Sequence, residues 1–186
     1  MREKTLVREM EGYTVYRMEE EVGVTEYLQA CVDVPKFEAL CRSCPNYGNR
    51  WSCPPFDFDP MEIWQKYSCL RLVTHILEPK DGQTVKGMLD AHQAEKGRML
   101  EILMDMETQH ADSMALWAGT CDLCPVCAKS EGKPCRMPDK MRHSIEALGG
   151  DVGKTAELYF GYPILWIEED KVPAYMTLMG GILYNR

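Results

Sequence analysis

Near the start of the chain, Tyr13, Val15 and, less regularly, Tyr16 alternate with polar neighbours in GYTVYRME, which predicts a short strand. Val24 to Cys31 predicts a helical turn or two. Val32 to Leu40 predicts a short helix, with Pro35 near its start and Phe37 and Leu40 three apart. Asp59 to Tyr67 has helical composition, with Asp59 as N-cap and Pro60 at the first helical position. The branched run CLRLVTHIL, residues 69 to 77, predicts a buried strand ended by Pro79, Asp81 and Gly82.

Val85, Met88, Leu89, His92, Met99, Leu103 and Met106 fall along one face of a long helix predicted from about Thr84 to Gln109, with Gly87 and Gly97 as weak points. ADSMALWAGT, residues 111 to 120, predicts a second buried strand running into Cys121. Lys140 to Leu148 predicts a short helix with Met141, Ile145 and Leu148 inward, and Lys154 to Tyr159 another. PILWIEED and PAYMTLMGGILYN predict two strands joined by a charged turn around Glu168 to Lys171. The expected class is mixed α+β, a mixed sheet flanked by helices, in one domain over residues 1–186. Two irregular cysteine loops, at 41–55 and 121–138, interrupt these elements.

Those loops change the picture from fold to chemistry. The chain holds 9 cysteines in 186 residues and is 45% hydrophobic, enough to bury a core without disulfide staples. In CDLCPVCAKSEGKPC, Cys121, Cys124 and Cys127 follow C-x2-C-x2-C, which aims three sulfurs at a common centre. Cys135 returns after seven residues as a fourth. Free cysteines packed as small core residues have no reason to recur at every third position. Ferredoxin loops use a similar run with a shorter last gap and a proline directly after the fourth cysteine, where this chain has Pro138. Structural zinc sites more often use two C-x2-C knuckles, so the run leans toward iron and sulfide, with zinc as the alternative.

In CRSCPNYGNRWSCPPF, Cys41 and Cys44 form a C-x2-C pair and Cys53 follows, with Pro45, Gly48, Pro54 and Pro55 excluding regular structure. Backbone N–H groups freed by such a loop can point at anionic sulfur, and Tyr47, Trp51, Phe56 and Phe58 would supply a dry shell or simply plug the core. Together the two blocks, C-x2-C-x2-Y-G-x2-W-x-C-P-P and C-x2-C-x2-C-x7-C-x2-P, resemble a cysteine-rich prokaryotic family of predicted metal-binding proteins found mostly in anaerobes. The likeness runs from about Val34 to the C-terminal hairpin. It implies metal or iron–sulfur binding at Cys41, Cys44, Cys53, Cys121, Cys124, Cys127 and Cys135, and supplies no reaction.

Seven thiols leave two four-thiolate sites one ligand short. Cys31 and Cys69 are spare, but each falls in a regular element where cysteine is usually small core. Otherwise the first site has an iron bound by water, a carboxylate or His75, or Cys135 crosses to it. An open iron would be a place for a small molecule to bind. Residues 121 to 142 carry Lys129, Lys133, Arg136, Lys140 and Arg142 against Asp122, Glu131 and Asp139, a net +2 in a chain of −8. Those cations suit an anionic centre, an acidic redox partner or a plain solvated loop.

The acidic balance argues against a general nucleic-acid binder. No stretch approaches a membrane span, and MREKTLVREMEGYTVYRMEE lacks the apolar run of a signal peptide, so a reducing cytoplasm is expected. Gly153-Lys154-Thr155 lacks the earlier glycine and the preceding strand of a phosphate loop. No C-x3-C-x2-C run occurs, and His75, His92, His110 and His143 follow no metal-ligand spacing. The expected function is a metal-binding protein with one or two [4Fe-4S] clusters serving one-electron transfer to a partner protein. A zinc module or a redox enzyme with an open iron is the alternative.

Overall fold

The computed structural model of the protein describes residues 3–168 and 171–186. Its centre is the strand read from the branched run, Cys69–Pro79, here β3. Leu70, Leu72 and Ile76 point into one hydrophobic cluster while Cys69, Val73 and Leu77 point into another. A strand buried on both faces has no reason to alternate with polar residues, which explains the unbroken apolar run. Around it lie β1 (Thr5–Glu9), β2 (Tyr13–Gly23), β4 (Met114–Leu116) and β5 (Met176–Tyr184), in the order β1-β2-β3-β5-β4. All four pairings are antiparallel. The α+β class holds, and the mixed sheet becomes an antiparallel one because strands that are neighbours here run in opposite directions.

Helix α4 (Val85–Thr108) covers one face through Met88, Ala91, Met99 and Leu103. Thr84 caps it by accepting from the Gly87 N–H at 3.0 Å, and neither Gly87 nor Gly97 breaks it. Leu89, expected inward, is 48% exposed. The inward place goes to Glu95, fully buried and paired with Arg8 of β1 at 2.5 Å and with Arg98.

On the other face lie α1 (Val24–Cys31), Trp64 of α3 (Pro60–Trp64), and α5 (Val152–Thr155), which continues into a π-helical turn through Phe160. Asp59 caps α3 by accepting from the Met61 N–H, with Pro60 in the first turn as expected. Helix α2 (Val34–Cys41) delivers the chain to the first cysteine loop.

Three further expectations are corrected, and one strand was not predicted. Thr5–Glu9 forms a strand that its pattern hid, because as an edge strand it is almost wholly exposed. The strand expected over 111–120 shortens to β4, so four residues separate its end from Cys121. Residues 140–148 form turns rather than a helix: the His143 carbonyl accepts from the Trp117 N–H at 2.9 Å, and Arg142 grips Glu107 at the end of α4 at 2.6 Å. The His143 carbonyl and the Arg142 guanidinium are spent on other elements, yet Ile145 and Leu148 still point inward. Residues 163–168 make no strand: Ile164 packs against the core, and the Pro163 carbonyl accepts from the Tyr175 hydroxyl at 2.6 Å. Trp166 is left 77% exposed, and the charged turn expected there falls partly on residues 169–170, outside the described ones.

Candidate metal centre

The first loop begins as α2 ends. The Cys44 N–H donates to the Cys41 carbonyl at 2.9 Å, Tyr47 to Cys44 at 3.0 Å, and Cys53 to Arg50 at 3.1 Å. Gly48, at φ +71°, donates to the Pro54 carbonyl at 2.8 Å and folds the loop back on itself. These turns bring Cys44 and Cys53 within electrostatic reach of Cys41. Burial, followed by those two neighbours, pushes the Cys41 thiol up from its ordinary value. Beneath the loop, Phe56 and Phe58 stack at 4.7 Å and meet the edge of buried His143, whose Nδ1 lies 3.2 Å from the Ser52 carbonyl oxygen. Burial lowers the pKa of His143, so the ring stays neutral and serves packing.

The second loop leaves β4 through Gly119 at φ +72°. A single 3-10 turn, Ala128–Glu131, ends at Gly132, and the Lys133 N–H returns to the Ala128 carbonyl at 2.9 Å, which swings Cys135 back toward the run. Cys121, Cys124, Cys127 and Cys135 all line one recess. Leu123, Met137 and Met141 give it apolar walls, while Arg50 and Arg136 bring positive charge. The Met137 N–H points at Cys135 Sγ at 3.4 Å, the kind of donor that stabilises a thiolate. Burial first, then Asp122, Cys135 and Cys127, push the Cys121 thiol up. The bare Cys121 therefore keeps its proton until a metal displaces it. Among the described residues, no three Cys, His, Asp or Glu side chains are gathered tightly enough for a single metal ion.

The two loops are sewn to each other. Arg50 donates to the Cys121 carbonyl at 2.7 Å, Trp51 Nε1 to that of Lys133 at 3.0 Å, and the Cys121 N–H to Ser52 Oγ at 3.1 Å. Lys129 reaches back to the carbonyls of Cys53 and Pro55 at 3.2 and 3.1 Å. Cys53 Sγ lies 3.2 Å from Thr120 Oγ1, one residue before Cys121.

The family model described as predicted metal-binding protein (DUF2284) matches residues 29–184. The chain belongs to this family. The span that defines it contains both loops and strands β3 to β5, and leaves out β1 and β2. No curated protein and no solved structure matches the chain.

Within this family member, the remaining candidate ligands lie elsewhere. Cys31 is buried beside Thr155 and Tyr159, and Cys69 sits at the head of β3 in the other cluster. His75 lies mid-strand between Arg17 and Leu178, with Arg17, Glu95 and Arg8 as its charged neighbours and no loop cysteine among them. Cys135 shares its recess with its own run, so the first loop contributes three thiols. Arg50, Ser52 and Thr120 were not legible as site residues, because their role depends on a neighbour in the other loop. The donor set, four thiols on one recess with cations and an N–H aimed at sulfur, fits an anionic thiolate-bound centre.

Proposed function

We propose that the protein is a cytoplasmic iron–sulfur electron carrier. Cys121, Cys124, Cys127 and Cys135 hold one [4Fe-4S] cluster, and Cys41, Cys44 and Cys53 contribute to a second. The observation that carries this reading is the convergence of four thiols on one recess. A single tetrahedral zinc with Zn–S bonds of about 2.3 Å draws its sulfurs to within about 4 Å of one another. A four-iron cube takes each thiolate at a separate corner and asks for a wider cage.

When bound, such a cluster supplies one-electron chemistry. The chain's residues set its conditions. Arg50 and Arg136 line the recess with positive charge, which favours the reduced, more negative state and raises the potential. Leu123, Met137 and Met141 give the sulfurs apolar neighbours. The hydrogen bonds between the loops tie the segment that carries the second set of thiols to the segment that carries the first.

Anaerobic purification followed by iron and acid-labile sulfide analysis, with EPR after reduction, tests the proposal. Iron and sulfide at four or more atoms of each per chain, with a reduced-cluster signal, is the expected outcome. A colourless protein with stoichiometric zinc would replace the reading with a structural metal module.

A further inference from the structure

In each cysteine loop a hydroxyl residue stands directly before a candidate ligand, Ser52 before Cys53 and Thr120 before Cys121. Each reaches across to the cysteine of the other loop. The Cys121 N–H donates to Ser52 Oγ at 3.1 Å, and Thr120 Oγ1 lies 3.2 Å from Cys53 Sγ. The two hydroxyl oxygens are 3.5 Å apart, and Ser52 Oγ is 3.7 Å from the same sulfur. Ser52 is 1% exposed, so little water competes for these groups.

Both ends of the Thr120 contact are fixed from outside it. Lys96 Nζ donates to the Thr120 carbonyl at 2.6 Å, and Lys129 Nζ to the Cys53 carbonyl at 3.2 Å. In the bare protein either the thiol or the hydroxyl can supply the hydrogen. A metal-bound thiolate has none, so the Thr120 hydroxyl is then the donor of the pair. Ser52 Oγ accepts the Cys121 N–H, which leaves its own proton for Thr120 Oγ1 or for the sulfur. The hydrogens thus run one way, from the Cys121 N–H through the two hydroxyls to Cys53 Sγ, and donors aligned in series strengthen one another.

We propose that Thr120 is a positioning residue for the metal of the first loop: its hydroxyl donates to the Cys53 thiolate and helps to hold that sulfur as a ligand, so that the second loop supplies part of the first loop's site. The proposal rests on the reading of Cys53 as a ligand. It holds for iron and for zinc alike, since a thiolate on either metal accepts the same hydrogen bond.

Iodoacetamide alkylation of the full-length protein, purified anaerobically with the metal it carries, tests it. Mass spectrometry of the peptides reads the rate at Cys53 against the rate at Cys124. A thiolate that loses a hydrogen bond is less firmly held and more nucleophilic. Thr120→Val, which keeps the shape and removes the hydroxyl, should therefore raise the Cys53 rate about threefold to tenfold and leave Cys124 unchanged. Thr120→Ser, which keeps the hydroxyl, should stay within about twofold of the wild type. An unchanged Cys53 rate in Thr120→Val, an equal rise at Cys124, or a Cys53 as reactive in Thr120→Ser as in Thr120→Val overturns the inference. Should Thr120→Val fail to fold, Thr120→Ala takes its place with the same outcomes. Stripping the metal from the wild type separates the two readings. A Cys53 rate that stripping leaves unchanged shows that Cys53 holds no metal, and both fall; a rate that rises on stripping but not in Thr120→Val sinks the inference alone.

Discussion

His75 shows how burial alone can dictate the behaviour of one side chain. It is fully buried in β3 with both ring nitrogens unpartnered, and burial, then the nearby Arg17, pull its pKa down to about 4. In the unfolded chain the ring takes a proton below about pH 6.5. In the folded chain it does so only near pH 4, so stability is unaffected above pH 6.5 and falls as the pH drops toward 4. The shift corresponds to a loss on the order of 3 kcal/mol. His75→Leu should remove this acid sensitivity, so that its advantage over the wild type in denaturant unfolding grows from pH 7 to pH 4.5. Equal pH profiles would show that the ring is not held as described. The thiols divide in the same way. Cys124→Ser should lower bound metal with little loss of fold stability, whereas Cys31→Ala should leave metal content unchanged and destabilise the core, both read by metal analysis and thermal unfolding.

The elements differ in how plainly they can be read. β3 and α4 are legible because each buries long rows of its own side chains, so the hydrophobic spacing is that of the element. β1 is not, since it is held by main-chain pairing with β2 and, Arg8 apart, its side chains face water. Close approach also leaves little trace beyond a glycine. A Cβ at Gly180 would sit 2.5 Å from the Leu116 carbonyl oxygen and 2.7 Å from Leu103 Cδ1, so β5 can meet β4 and α4 only without a side chain there. Gly180→Ala should destabilise by about 1–3 kcal/mol. Gly97→Ala, on the open side of α4 with nothing within 4 Å, should stabilise by about 0.5–1 kcal/mol. Chemical denaturation of the two variants checks both signs.

Across the molecule, packing and chemistry are separated. Both hydrophobic clusters are built from the sheet and its helices, and none of the seven loop cysteines belongs to either. Removing metal under oxygen or with a chelator should therefore release amide protection in 41–55 and 121–138 while strands β2, β3 and β5 stay protected, as hydrogen exchange would report. Arg50→Ala should loosen both loops at once, because Arg50 joins the first to the Cys121 carbonyl. Among the described residues, no helix is long and apolar enough to cross a membrane.

The seven loop cysteines, the central strand and the long helix could all be named from the amino-acid order, because ligand spacing and hydrophobic periodicity are local properties of a chain. Which thiols share a recess, and how the two cysteine loops are bonded to each other, came only with the folded molecule. Each of these depends on atoms brought together from distant stretches of chain, and no local pattern encodes which distant backbone will already have claimed a given hydrogen bond.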